Sequence, residues 1–139
     1  MLSVEDKLEI NELIARYNVA IDDGDAEGWA RTFTPDGVFD GIVGRFEGRD
    51  EIAAFARRYA SEAKYEDFRS CQHWVNNVLI EGSGDAATLR ADHQMVQPTE
   101  GGGRILLVAR YNDTLRRLNG EWLFSRRCVR AHDDPEARA

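Results

Sequence analysis

Lysine is nearly missing: the 139-residue chain has two, Lys7 and Lys64, against 16 arginines. Cysteine is as scarce, with Cys71 and Cys128 alone. Two cysteines cannot build a disulfide framework and fit free thiols in a reducing compartment. No stretch approaches the run of about 18 apolar residues that spans a membrane. The opening Met1–Asp6 lacks the basic-then-apolar pattern of a secretory leader. The three histidines, His73, His93 and His132, show no helical or strand pairing. With no cysteine or carboxylate completing a ligand set, no metal is expected. There is no Gly-x-Ser-x-Gly and no phosphate loop. Gly101–Gly103 precedes a strand pattern rather than a helix, so it reads as a turn, and no cofactor is expected. A formal charge of −7 disfavours phosphate backbones, which argues against a nucleic-acid partner. These exclusions leave a soluble, cytoplasmic protein.

What is present is an ordinary globular mixture, 42% apolar and 31% charged, in a chain of one-domain length. Ile10, Leu13, Ile14, Tyr17, Ala20 and Ile21 recur at helical steps, Ser3 and Asp6 form a capping-box pattern, and Gly24 stops the helix. A shorter helix is predicted over Ala26–Phe33, closed by the turn residues Thr34-Pro35-Asp36-Gly37. Val38–Asp40 and Gly44–Phe46 read as a short hairpin. Asp50 would cap a helix from Glu51 to Ala63, with Ile52, Phe55, Ala56 and Tyr59 on one face. Four strand-like runs follow, Phe68–Glu81, Ala87–Gln97, Arg104–Leu118 and Glu121–Ala131, the last two joined by the hairpin signal Asn119-Gly120. Helices first and a long meander afterwards is the α+β pattern. The expected architecture is a cone-shaped α+β barrel, with N-terminal helices packed on a strongly curved, mainly antiparallel sheet. Residues 1–131 form its single domain, and 132–139 a flexible tail.

Strand parity puts Cys71, His73, Val75 and Asn77 on one face of the first run. His93 and Met95 share a face of the second, and Leu107, Ala109, Tyr111 and Asp113 a face of the third. Such a mixture suits either the wall of a small-molecule pocket or a core face backed by a surface or subunit face. Trp74, Val78 and Ile80, or Leu106 and Val108, would then be an outer patch covered by a second copy of the chain. Asp22 ends the first helix, where the macrodipole disfavours negative charge, and lies beside the buried stripe. His73 is either a satisfied structural histidine or, held by a carboxylate, a general base.

The order Arg16-Tyr17, Ala20-Ile21-Asp22, Asp25, Trp29, Phe33–Gly37, Gly48–Ile52, Gln72–Asn77 and Asn119–Arg127 resembles the SnoaL-like proteins of the nuclear transport factor 2-like superfamily, over about residues 5–131. Within it the chain resembles most the branch of scytalone dehydratase, bile acid 7α-dehydratase and hexachlorocyclohexane dehydrochlorinase. Those enzymes pair an aspartate at the end of the first helix with a histidine on the first long strand, at positions matching Asp22 and His73. The bile acid enzyme has a tyrosine matching Tyr17, the dehydrochlorinase a cysteine matching Cys71, and an arginine of the branch matches Arg127. The second catalytic histidine of scytalone dehydratase falls on Thr99 and its tyrosine on Gly41, so scytalone itself is not the expected substrate. Strict alternation sets Arg127 opposite Trp122 and Phe124, so a bulge is needed to turn it inward.

The resemblance implies a cofactor-independent lyase, most simply a dehydratase, acting on a small cyclic or aromatic apolar substrate. Asp22, His73, Tyr17 and Arg127 would be catalytic, and Cys71, His93, Met95, Leu107, Tyr111 and Trp29 would bind substrate. It also admits an isomerase or cyclase using the same dyad, or a non-catalytic binding or scaffolding domain. A homo-oligomer, trimer or dimer, is expected.

Overall fold

A computed structural model describes residues 1–138. Helix α1 (Val4–Asp22) starts as the capping pattern requires. The Ser3 hydroxyl accepts the Asp6 N–H, and the Asp6 carboxylate accepts the Ser3 N–H, both at 3.0 Å. The same carboxylate accepts from Arg117 and from the Trp122 indole, tying the helix start to the far end of the sheet. Those bonds hold Asp6 down at about 2. The buried face of α1 carries the predicted stripe, Ile10 through Ile21. Gly24, at φ +75°, turns the chain, and Asp25 caps α2 (Ala26–Arg31).

Helix α2 is shorter than expected, because Phe33 already belongs to strand β1 (Phe33–Gly41). The expected turn at Thr34–Gly37 is a bulged stretch inside that strand, where the register against the last strand jumps between Phe33 and Val38. A Cβ on Gly37 would come within 2.9 Å of the Phe33 Cβ and the Thr34 carbonyl, so only glycine fits the bulge. Strand β2 (Gly44–Glu47) closes the hairpin. Helix α3 (Gly48–Ser61) begins earlier than predicted and is not capped by Asp50. Glu47 is the cap residue, and its N–H donates to the Glu51 carboxylate instead. Its Ile52, Ala53, Phe55 and Ala56 face the core.

A 3₁₀ turn (Ala63–Tyr65) and a short helix α4 (Glu66–Arg69) take the place of the predicted first residues of the long strand, so Phe68 is helical. Strands β3 (Gln72–Ser83), β4 (Ala86–Thr99), β5 (Gly102–Leu118) and β6 (Glu121–Ala131) form the antiparallel meander. Asn119 and Gly120 both take positive φ at its last turn. The six strands make one sheet in the order β2-β1-β6-β5-β4-β3, antiparallel except for the β1–β6 pair.

Two bulges set which side chains face inward. The β3–β4 register shifts between Asn76 and Leu79, and Asn77 sits at φ 53°. Parity flips there. Asn77 therefore leaves the His73 face, and Val78 and Ile80, predicted for the outer patch, pack against the core. The outer patch is instead Trp74, Leu79, Ile105 and Val108, all exposed. On β6 the register skips Ser125, so both Phe124 and Arg127 turn inward. The inner face carries Leu89, Ala91, Tyr111, Leu115 and Phe124, which close on the helices as one core.

Beyond β6 the chain turns back onto the sheet. Pro135–Arg138 forms a 3₁₀ turn, Ala137 is buried, and its carbonyl accepts from Arg110 and Asn112. Residue 139 lies outside the described residues. No helix among them is long and apolar enough to cross a membrane.

Candidate active site

The end of α1 meets the start of β3, and this brings Asp22 to His73. Asp22 Oδ1 lies 2.5 Å from His73 Nδ1, and Oδ2 accepts the His73 backbone N–H at 3.1 Å. The carboxylate thus grips both the ring and the main chain. A carboxylate oxygen there accepts, so in the neutral ring Nδ1 carries the hydrogen and Nε2 the lone pair. The Asp22 side chain is 20% exposed and the imidazole 11%.

His73 stands on the wall of a cavity of about 190 Å³ between the helices and the sheet. From the predicted set, Tyr17, Trp29, His93, Met95, Leu107 and Tyr111 line it too. An apolar cavity of about 150 Å³ suffices for benzene, so there is room for one or two small rings. The remaining walls went unnoticed in the sequence. Phe39, Phe55, Tyr59, Tyr65 and Phe68 supply an aromatic side, and Ile42 and Val43, about half exposed on the β1–β2 turn, stand at its rim. The helical stripe containing Phe55 and Tyr59 was the available signal, and it read only as core. A larger surface groove of about 690 Å³, lined by Arg16, Asp23, Asp25 and Arg31 among others, lies away from the dyad on the outer side of α1 and α2.

Three predicted site residues stand elsewhere. Asp22 touches the cavity only through His73. Cys71 precedes β3 rather than lying in it, and its thiol, pushed up by burial, donates to the Asp67 carbonyl outside the cavity. Arg127 is wholly buried behind the cavity wall. Its guanidinium carbon is 3.4 Å from the Tyr111 ring centroid, 4.3 Å from Tyr17 and 4.4 Å from Phe124. Its Nε is 3.3 Å from Asp113 Oδ2, an ion-pair distance without hydrogen-bond alignment. Burial pushes the Asp113 carboxyl up, against the pull of Arg127. Arg127 is therefore a cation held beneath the aromatic floor, not a group at the ligand's surface.

The tyrosines keep their protons. Burial raises Tyr17 well above its ordinary value and Tyr111 to about 12. Burial, with the Arg127 charge adding to it, pushes His93 down to about 2, so its imidazole is neutral. His73, His93 and Tyr111 form a column of nearly parallel rings, 5.1 and 4.8 Å apart, with Arg127 at its end. Among the described residues no three His, Cys, Asp or Glu side chains gather as a metal set.

The family model described as a SnoaL-like domain matches residues 2–128. No curated protein matches the chain. Among solved structures, an NTF2-like protein with a cystatin-like fold from Novosphingobium aromaticivorans is 31% identical, with a TM-score of 0.84, over 97% of this chain and 88% of that one. A protein of unknown function with a cystatin-like fold from Nostoc punctiforme is 30% identical, with a TM-score of 0.82, over 96% and 95%. A candidate scytalone dehydratase from N. aromaticivorans is 22% identical, with a TM-score of 0.75, over 92% and 85%, a likeness of fold.

Proposed function

The chain belongs to the SnoaL-like family, and on that footing we propose that it is a cofactor-independent lyase, most simply a dehydratase, of small cyclic or aromatic compounds. The observation that carries this reading is the Asp22–His73 pair, hydrogen-bonded twice and set with the imidazole on the wall of an apolar cavity. Asp22 holds the ring in the tautomer whose Nε2 is bare. That nitrogen takes a proton from a carbon next to a carbonyl or ring. The C–H electron pair becomes the new double bond, and the departing hydroxyl leaves as water with the proton that His73 carries. The protonated Tyr17 hydroxyl, on the same cavity, assists the departing group. Each such acid–base contribution is typically about 10²–10⁴-fold. Arg127, expected to share this role, takes no direct part, because two tyrosines and a phenylalanine cover it. An isomerase or cyclase would use the same first step.

Proton abstraction is measurable without knowing the leaving group. A small cyclic ketone, indan-2-one, incubated with the protein in D₂O should exchange its α-hydrogens faster than in buffer, as read by proton NMR. His73→Ala should lose about 10²-fold or more of that acceleration. A wild-type protein that binds the ketone without accelerating exchange would mark a binding domain instead. Association of copies belongs to the same reading, supported by the exposed Trp74, Leu79, Ile105 and Val108 on the outer sheet face. Light scattering on the eluting peak should give a dimer or trimer mass, and a monomer at micromolar concentration would contradict it.

A further inference from the structure

We propose that His93 is the hydrogen-bond donor for the substrate's carbonyl oxygen, so that the cavity selects small cyclic ketones and hydroxyketones over hydrocarbons or halocarbons of the same shape. This rests on the lyase reading above and adds the substrate class to it. His93 is 3% exposed, lines the cavity, and neither ring nitrogen has a hydrogen-bond partner. Leaving a buried polar group unpaired is costly, so a fold that keeps one at a cavity wall keeps it for an occupant. Trp29, which lines the same cavity, also has its indole Nε1 without an aligned partner. An otherwise apolar cavity thus presents donors and wants an acceptor.

Its geometry says which acceptor. The His73 and His93 rings are parallel within 10° and 5.1 Å apart. On a ketone the acidic C–H and the carbonyl oxygen are borne on adjacent carbons. With one hydrogen bond reaching each ring edge, that pair spans two neighbouring rings. His73 Nε2 takes the α-proton, the C–H pair becomes a C=C bond, and the carbonyl π pair moves onto oxygen. The His93 N–H stabilises that oxygen without giving up its proton, as a neutral imidazole does when it acts as electrophile. The pair then returns, expels the β-hydroxyl, and the hydroxyl takes the proton from His73. The products are an enone and water, and the protein is unchanged. Burial and the Arg127 charge keep His93 from accepting the proton that His73 has just gained, so it remains on His73 for delivery.

Infrared difference spectra of bound indan-2-one test this directly. The carbonyl stretch should be lower in the wild-type complex than in His93→Phe, which keeps a ring in the column and removes the N–H. His93→Gln, which restores an amide donor, should recover part of the shift. Preference for indan-2-one over indane by calorimetry should fall about tenfold in His93→Phe, the worth of one hydrogen bond. An equal stretch and equal preference in His93→Phe would overturn the proposal. So would a wild-type complex whose carbonyl absorbs where it does in hydrocarbon solvent, or failure of the ketone to bind at millimolar concentration. His73→Ala separates the two claims. It should keep the carbonyl shift and lose proton exchange, so a missing shift refutes the His93 assignment while missing exchange refutes the lyase reading.

Discussion

Two histidines 5.1 Å apart live in opposite circumstances. His73, nearer the rim, has its Nδ1 and its backbone N–H both held by Asp22. His93, one ring deeper, has neither nitrogen partnered and sits against Tyr111 with the Arg127 charge beneath. The first arrangement fixes the ring, because one nitrogen is tied to Asp22 and the other has no partner. The second fixes a charge state, because burial and the Arg127 cation disfavour a proton there. A base needs the former and a neutral donor the latter. The same side chain thus supplies two functions through its surroundings alone.

The comparison breaks most completely at the rim. Asp22→Asn should cost proton exchange about 10²-fold or more, since an amide can donate to Nδ1 and move the ring hydrogen to Nε2. NMR of the exchanging ketone checks it, and an unchanged rate would remove Asp22 from the account. Next comes the inner column. Arg127→Met leaves Asp113 buried beside no cation and should destabilise the fold by about 3–5 kcal/mol in denaturant. The double change with Asp113→Leu should cost much less, because both charges leave together. Equal losses in the single and double variants would show that the pair does not act as one unit.

A smaller effect separates the two histidines by pH. The folded value of His93 lies below its ordinary 6.5, so as pH falls the unfolded chain takes the proton first. The stability contributed by the neutral ring is present above about 6.5 and declines below it, by up to about 1.4 kcal/mol per pH unit. Asp113, pushed the other way, contributes stability at low pH that is lost as pH rises. That contribution is common to wild type and His93→Phe. The difference between the two proteins should therefore change with pH between 6.5 and 4.5, His93→Phe gaining on wild type as pH falls, and parallel profiles would contradict it. Ser3→Ala, far from both histidines, should cost about 1 kcal/mol through the lost cap and leave ketone binding unchanged.

Much of this was legible in the sequence, and the exceptions share a cause. The α1 stripe, the capping box, the Asn119-Gly120 turn and the Asp22–His73 pair follow from local patterns or from family resemblance, and the structure places them together. Val78 and Ile80 lie on the face opposite to the one strict alternation predicts, because Asn77 takes a positive φ and adds a residue to its strand. One extra residue reverses every later side chain, and neither hydropathy nor motif marks it. The skip at Ser125 could be demanded for Arg127 to point inward, but not where Arg127 would then lie. Its place beneath Tyr17, Tyr111 and Phe124 depends on three elements meeting, which no window of sequence contains. Cys71 left the site because helix α4 holds the chain until Ser70.

Proton abstraction requires that Asp22 leave His73 with a bare nitrogen toward the cavity. Long-range proton–nitrogen NMR of the labelled imidazoles reads this directly. The expected spectrum has a His73 signal with hydrogen on Nδ1 and none on Nε2, beside a His93 that stays neutral at pH 5. Hydrogen on His73 Nε2 with Nδ1 bare would contradict it, because no lone pair would then face the substrate.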